Sequence, residues 1–299
     1  MLKKSLGLIC VGAACCLGAS VSFAQPNPNG GPPQGGPGFP GGTNAGGTNG
    51  ARGNFGFGRG PGGGGGGGAR GGIDWSARIV ETFNDLNFFT NKNAQLPPPG
   101  PGEKRAVFIG DSITENWQGR NGDFVPLGGR ESCFPGKTNY IGRGHTAETT
   151  QQMLVRFRQD IIDLQPKVVV IMAGVNDVAG NTGEYHLKYT QDCFKSMFDL
   201  AEMNHIKVVW ISTFPCNTFF WQRSVTDGAD KVYELVQWEK QYAAQRGIEF
   251  VDAYSMLADD NHHMKPGMSS DSVHPTAAGY YAISKVVGES IEKILATVN

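Results

Sequence analysis

A hydroxyl, an amide, a carboxylate and an imidazole occupy positions from which they could take part in one reaction. Ser112 directly follows one short apolar run and Asn176 follows another, while Asp271 and His274 lie three residues apart ahead of the last helical pattern. A serine hydroxyl is a weak nucleophile until a base takes its proton, and the base works best when a third group fixes its tautomer. Ser112, His274 and Asp271 can fill these three roles in acyl transfer.

Acyl transfer also requires hydrogen-bond donors aimed at the negative oxygen of its tetrahedral intermediate. Asn176 can offer its side-chain amide, and Ser112 can offer its own backbone N–H. A helix that begins at Ser112 would add the positive end of its dipole at the same place. The sequence therefore predicts an oxyanion hole beside the nucleophile.

Alternating strands and helices are expected to position these groups. Four short, β-branched apolar runs predict buried strands at 105–110, 167–174, 206–212 and 248–253. Helical patterns lie between and after them, at 148–164, 189–204, 229–247 and 276–298. This alternation predicts an α/β fold with a parallel sheet, whose strands all end at one edge, where ligands gather.

Three blocks of sequence resemble the SGNH or GDSL-type ester hydrolases, in particular their lysophospholipase-like and acetylesterase-like members. They are GDSITENW at 110–117, the segment from NYIGRGHTAETT to GVNDVAGNTG at 139–183, and DSVHPTAAGY at 271–280. The resemblance extends from about Arg105 to the C-terminus. It implies a flavodoxin-like three-layer sandwich around a central parallel sheet, hydrolysis through an acyl-enzyme, and no cofactor.

The resemblance also assigns roles to individual residues. It implies that Ser112 is the nucleophile, that His274 is the base and that Asp271 orients His274. Asn176 matches the oxyanion asparagine of the family. Ala147, in GRGHTAETT, stands where the family has a glycine whose amide lines the oxyanion hole. The N–H of Ala147 is retained, so we expect it to donate unless the site needs positive φ, which would cost about 1–2 kcal/mol.

Three further side chains are predicted to contact substrate: Arg143, His145 and Trp221. Arginine and histidine at such positions are more often surface or loop residues, and an aromatic cluster after a strand is usually core. His262 and His263 have no third ligand at a recognisable spacing, and serine chemistry needs none, so we expect no metal.

The N-terminal part of the chain differs sharply in composition from the rest. Residues 1–24 have the basic start, apolar stretch and small-residue ending of an export signal, although a core helix or a membrane anchor is the alternative. Residues 25–72 are rich in Gly and Pro and are expected to be disordered. Residues 73–104 are predicted to lead into a single hydrolase domain at 105–299. An arginine-glycine tail that binds polyanions is the alternative to a plain spacer at 25–72.

Charge and cysteine content restrict the partners and the scaffold. The formal charge of the chain is −1, and loss of Lys3 and Lys4 with the signal would make it −3, so no nucleic-acid partner is expected. Three cysteines remain after residue 24, too few to form a disulfide scaffold: Cys133, Cys193 and Cys216. No transmembrane span is expected, because the apolar part of residues 1–24 is short.

The combined prediction is an exported, periplasmic or extracellular serine ester hydrolase. Its expected substrate is an acylated small molecule or an acetylated polysaccharide, from which it removes a small acyl group such as O-acetyl. A lysophospholipase or thioesterase that acts on longer acyl chains is the alternative within the class. A binding protein built on an inactive hydrolase scaffold is the alternative outside it.

Overall fold

The described part of the chain is built around a five-stranded sheet in which all neighbouring strands run parallel. A computed structural model describes residues 85–298. The strands are β1 (Ala106–Gly110), β2 (Tyr140–Gly144), β3 (Val168–Met172), β4 (Lys207–Ile211) and β5 (Glu249–Val251). Their order, β2-β1-β3-β4-β5, is that of flavodoxin-like folds, which confirms the predicted fold class. The predictions for residues 1–84 lie outside the described residues.

Eight α-helices surround this sheet within residues 85–298. They are α1 (Thr90–Gln95), α2 (Ser112–Gln118), α3 (Thr150–Asp160), α4 (Val175–Val178), α5 (Leu187–Met203), α6 (Gly228–Arg246), α7 (Ala253–Leu257) and α8 (Ala277–Leu295). Single 3-10 turns lie at Asp85–Asn87 and Ile162–Leu164. All four long helical patterns are confirmed as α3, α5, α6 and α8. Helix α3 begins at Thr150 because Thr149 and Gln152 form a capping box there.

Alternate residues of each strand enter two separate cores, which makes the domain three layers thick. Phe108, Val170 and Val209 face one core, to which helices α2, α6 and α8 contribute. Val107, Val169 and Trp210 face the other core, which helices α3 and α5 cover. Since both faces of the sheet are buried, its central strands β1 and β3 are continuous apolar runs without polar alternation.

The edge strand β2 is the one strand that the apolar runs did not predict. Its sequence, YIGRG, has two glycines and an arginine. Helix α2 packs directly on the strand, which leaves no room for side chains at the two glycines. A Cβ added to Gly142 would lie 2.1 Å from Oε1 of Gln118. The same amide group pairs with the strand backbone: the N–H of Gly144 donates to Oε1 at 3.1 Å, and Nε2 donates to the Gly144 carbonyl at 3.3 Å.

Residues 85–104 pack against the sheet and α3. Phe89 is buried beneath two arginines, with the guanidinium carbon of Arg143 5.0 Å and that of Arg156 5.6 Å from its ring centroid. Asn93 donates to Asp160 on α3 at 2.6 Å. None of the helices in residues 85–298 has the length and apolar character needed to cross a membrane. The thiols of the three cysteines in this range are free.

Candidate active site

Ser112 lies where the fold leaves a crevice at the carboxyl edge of the sheet. The chain leaves β1 toward β2 on one side, and β3 lies on the other side of β1, so this is the point at which the strand order reverses. Ser112 is the first residue of α2, and Asp111 caps that helix by accepting from the Ile113 N–H at 2.9 Å. The cap leaves the Ser112 side chain free to face the loop before α8.

A continuous hydrogen-bond chain joins the hydroxyl, the imidazole and the carboxylate. Oγ of Ser112 lies 2.8 Å from Nε2 of His274, and Nδ1 of His274 lies 2.7 Å from Oδ2 of Asp271. An ionised carboxylate only accepts, so Nδ1 must carry the proton and Nε2 presents its lone pair to the serine hydroxyl. His274 is therefore in the tautomer that can act as a base.

The carboxylate of Asp271 is held in place and kept ionised by its own turn. Its Oδ1 accepts from the backbone N–H groups of Val273 at 3.0 Å and His274 at 2.8 Å. Burial alone would raise the pKa of Asp271, but the bonds from the His274 ring and backbone hold it well below its ordinary value. The Asp271 side chain is 36% exposed and that of His274 is 22% exposed, so water can reach this half of the site.

The loop that connects β2 to α3 is held by hydrogen bonds on both sides of Ala147. The His145 N–H donates to the Gly110 carbonyl at 2.9 Å, and the Thr146 N–H donates to Glu115 at 2.7 Å. Ala147 follows with φ of 66°, in the left-handed region that glycine adopts without strain. No acceptor among residues 85–298 bonds to the N–H of Ala147 or Ser112. Both groups are thus available as donors.

Asn176 lies at the start of the short helix α4, directly after β3. Its Nδ2 donates to the Glu148 carbonyl at 2.9 Å, and its Oδ1 accepts from Asn181 at 3.1 Å. One hydrogen of Nδ2 therefore has no acceptor among the described residues. Since Asn176 is 3% exposed, that hydrogen is a buried donor ready for an oxygen that develops negative charge.

A buried ion pair between Arg156 and Glu148 holds the same loop in place. Arg156 on α3 bonds to both carboxylate oxygens of Glu148, with Nε at 2.9 and 2.7 Å from them. Its Nη2 also donates to the Arg143 carbonyl at 2.8 Å. Burial raises the pKa of Glu148 to about 7, while the Arg156 charge acts to lower it. The guanidinium thereby ties the Glu148 end of the loop to β2.

Asp111 and Asp177, which lie beside Ser112 and Asn176 in the chain, have structural contacts. Asp177 accepts from the backbone N–H of Thr150 at 2.9 Å and from the hydroxyls of Thr150 and Thr190. Asp111 caps α2, and its second oxygen has no hydrogen-bond partner among residues 85–298. Burial raises the pKa of Asp111 to about 7 and that of Asp177 to about 6.

Comparison with known proteins assigns the chain to a family. The model of the GDSL-like lipase/acylhydrolase family matches residues 108–282, more than half of the chain. This chain belongs to that family. It is accordingly an ester hydrolase, and the sequence blocks that resembled the family are confirmed as membership.

Several relatives of this GDSL-like hydrolase cover most of the described domain. A protein of Bacteroides fragilis assigned to the acylhydrolases is 40% identical, with a TM-score of 0.65 over 71% of this chain and 97% of that one. A GDSL-like lipase of Bacteroides thetaiotaomicron is 39% identical, with a TM-score of 0.64 over 71% of this chain and 98% of that one. An acetylxylan esterase of Geobacillus stearothermophilus is 24% identical over 62% of this chain and 92% of its own length.

Two of the predicted substrate residues contact the segment before β1 instead. Arg143 is buried, and its Nε donates to Asn93 at 2.8 Å while its guanidinium lies on Phe89. His145 stacks on Phe88 with ring centroids 4.2 Å apart, and its Nε2 lies 3.7 Å from Asp85. Neither substrate role finds support in these contacts. For Arg143 the reason is the alternation of side chains along β2, which turns Arg143 toward the core that α3 covers.

Trp221 of this hydrolase is connected to Ala147 through Asn181, a residue that the sequence analysis did not single out. Its Nε1 donates to Oδ1 of Asn181 at 2.8 Å, and Nδ2 of Asn181 donates to the Ala147 carbonyl at 2.9 Å. Phe220 beside it is 52% exposed. The aromatic run after β4 is thus partly core and partly surface, since Phe214 and Phe219 are buried. The only sequence signal for Asn181 was its place between two glycines, in AGNTG.

Proposed function

We propose that this hydrolase uses Ser112 as its nucleophile, His274 as general base and acid, and Asp271 to orient and stabilise the imidazole. The observation that carries the proposal is the unbroken bond chain from the Ser112 hydroxyl through both nitrogens of His274 to Asp271. Each contact is 2.7–2.8 Å long, within reach of direct proton transfer. The free N–H of Ser112, the free N–H of Ala147 and the spare Nδ2 hydrogen of Asn176 form the proposed oxyanion hole.

The reaction then proceeds in two balanced steps. Nε2 of His274 takes the hydroxyl proton as Oγ of Ser112 bonds to the ester carbon, and the same proton passes to the leaving alkoxide as the ester C–O bond breaks. Water next gives its proton to Nε2 as it attacks the acyl-enzyme, and Ser112 recovers that proton when the carboxylic acid leaves. The partial exposure of His274 and Asp271 supports this second step, because it gives water access to the base.

The substrate we propose is a small acyl group, most simply O-acetyl, on a carbohydrate. The exposed ring of Phe220 and the adjoining Trp221 offer an aromatic surface on which a sugar ring could rest. The acetylxylan esterase of Geobacillus stearothermophilus, a relative at 24% identity, supports the same substrate class. An acylated small molecule or an acetylated polysaccharide would be the partner of this site.

A longer acyl chain is the second candidate, favoured by the 39% identical GDSL-like lipase of Bacteroides thetaiotaomicron. A p-nitrophenyl ester series from acetate to palmitate separates the two, run beside acetylated xylan and the Ser112→Ala variant. We expect acetate to be cleaved fastest and the variant to be inactive. Faster cleavage of the long chains would favour a lysophospholipase or thioesterase. No cleavage beyond that of the variant would favour a binding protein.

We propose further that the protein is exported and that residues 1–24 are removed in the process. The basic start and the small-x-small ending of this segment support the proposal. Expression of the full chain in a bacterium, followed by fractionation and N-terminal mass analysis, tests it. A periplasmic or secreted protein that begins at Gln25 is expected, whereas a cytoplasmic protein that retains Met1 would contradict it.

A further inference from the structure

The side chain of Asn181 contacts both residues whose donors we assign to the oxyanion hole. Its Nδ2 donates to the backbone carbonyl of Ala147 at 2.9 Å and to Oδ1 of Asn176 at 3.1 Å, while its Oδ1 accepts from Trp221 at 2.8 Å. Asn181 is 8% exposed, so all three bonds lie in a shielded environment. One amide thus joins segments that follow β2, β3 and β4.

The chemistry of the partners allows only one orientation of this amide. The indole N–H of Trp221 can only donate, so it must face the oxygen of Asn181, and the carbonyl of Ala147 can only accept, so it must face the nitrogen. Asn176 must then present its oxygen to Asn181. The Glu148 carbonyl fixes the same orientation independently, because it requires the nitrogen of Asn176 at 2.9 Å.

This orientation determines what Asn176 offers to the substrate. With Oδ1 bound to Asn181, the second hydrogen of Asn176 Nδ2 is the group left free at the site. A flipped Asn176 would instead direct a carbonyl oxygen at a developing negative charge, which would raise the barrier. The bond from Asn181 therefore holds Asn176 as a donor.

The bond to Ala147 has a comparable consequence. Ala147 has φ of 66°, a left-handed conformation that strains a residue with a Cβ. Such strain persists only where surrounding contacts hold the backbone in place. The bond from Asn181 fixes the carbonyl of Ala147 and thus the peptide that follows it. The Ala147 N–H belongs to the preceding peptide, so the bond acts on it through the backbone of Ala147, which is held at φ of 66° with the N–H left without an acceptor among the described residues.

We propose that Asn181 is a positioning residue that aims both oxyanion donors, Ala147 and Asn176, and that Trp221 holds Asn181 in register from the aromatic edge of the site. The inference rests on the proposed function. A substrate that lies on Trp221 and Phe220 would contact Trp221, which holds Asn181 in place beside the oxyanion donors. Trp221 thereby links recognition of the substrate to stabilisation of the transition state.

The decisive variant is Asn181→Asp. It keeps the size of the side chain and the acceptor for Trp221, but it replaces the donor nitrogen Nδ2 with an oxygen. We expect kcat on p-nitrophenyl acetate to fall by about 10- to 100-fold, less than the roughly 10²- to 10³-fold expected for direct loss of a donor in Asn176→Ala. KM should change less than about twofold. Inhibition by phenylboronic acid, whose tetrahedral adduct needs the oxyanion hole, should weaken by the same factor as kcat.

Two further variants complete the design. Trp221→Phe keeps the ring but removes the indole N–H, and we expect a smaller fall in kcat, about three- to tenfold. Asn139→Asp is the matched control, because Nδ2 of Asn139 also donates to a backbone carbonyl, that of Lys104, at the opposite end of β2. It should leave kcat unchanged, and circular dichroism should show that all three variants are folded.

The outcomes separate this inference from the proposed function. An active wild type, an inactive Ser112→Ala and an Asn181→Asp within twofold of wild type in kcat would overturn the inference alone. A fall in kcat with unchanged boronate affinity would overturn it as well. A wild type that cleaves no ester would overturn both the proposed function and the inference.

Discussion

The two halves of the proposed site, the nucleophile half and the oxyanion half, are built by different means. The nucleophile half, Ser112, His274 and Asp271, depends on one short turn and a single contact with α2, and its two titratable side chains are 22% and 36% exposed. The oxyanion half joins Ala147, Asn176 and Asn181 from three segments, with the two asparagines nearly buried. The difference follows from the work of each half. Protons and water must move through the first, whereas the second acts through dipoles fixed in advance.

Carboxyl pKa values shift in opposite directions inside and outside the nucleophile half. Hydrogen bonds keep the pKa of Asp271 well below its ordinary value, in spite of burial. Burial instead raises the pKa of two carboxyls outside the nucleophile half, to about 7 for Glu148 and about 8 for Glu239. The nucleophile half is therefore predicted to weaken in acid, whereas Glu239 is predicted to stabilise the fold less as the pH rises.

The largest effect is expected from Asp271→Asn. An amide nitrogen opposite Nδ1 would force the imidazole proton onto Nε2, where it could no longer accept from Ser112, and kcat should fall by about 10⁴-fold. Asp260→Asn, which removes the same charge from an exposed residue, is the control and should keep wild-type activity. Steady-state rates on p-nitrophenyl acetate measure the effect. A loss smaller than tenfold would show that Asp271 does not set the tautomer.

The nucleophile half was also the part that could be predicted from sequence. Asp271 and His274 are near neighbours in the chain, and Ser112 ends an apolar run, so short-range pattern was sufficient. Four of the five strands were predicted in the same way. Strand β2 was not, because contact with Gln118 demands glycine at Gly142, and that demand comes from the packed structure.

The support of the oxyanion half could not be predicted in this way. Asn181 acquires its role only when β2, β3 and β4 bring Ala147, Asn176 and Trp221 around it. Arg143 illustrates the converse case. It lies in the family block, yet the alternation of side chains along β2 turns it toward Phe89 rather than toward the edge of the sheet. Side-chain direction and non-local contacts decide both cases.

Glu239→Gln tests the predicted contribution of this buried carboxyl to stability at different pH values. Glu239 is buried on α6 and bonds to Thr213, whose hydroxyl also lies 2.6 Å from the Ala173 carbonyl just after β3. A carboxyl whose pKa is raised in the folded state stabilises the fold below about pH 4.5, and this contribution is lost as the pH rises toward 8, at up to about 1.4 kcal/mol per pH unit.

Urea unfolding of wild type and Glu239→Gln between pH 5 and 9 measures this slope. The amide is uncharged and of equal size, so the free energy of unfolding should vary less with pH in the variant than in the wild type. Glu234→Gln, an exposed position on the same helix, should retain the wild-type slope. Equal slopes in wild type and Glu239→Gln would show that Glu239 is ionised in the folded protein.

The smallest effect is expected from Ala147→Gly. Removal of the Cβ relieves the strain of the left-handed conformation, partly offset by the greater freedom of glycine in the unfolded chain, so stability should rise by about 0.5–1 kcal/mol. The N–H donor is retained, and kcat should be unchanged or modestly raised. A loss of about a hundredfold in kcat, typical of a missing oxyanion donor, would mean that the loop has been assigned incorrectly.

The most direct test of the account is covalent labelling with an alkyl fluorophosphonate, which reacts with activated serines. Intact mass and peptide mapping should show one phosphonyl group on Ser112, slow labelling in His274→Ala and none in Ser112→Ala. An unlabelled Ser112 in a protein that still cleaves esters, or a label on another serine, would contradict the assignment of Ser112 as the nucleophile.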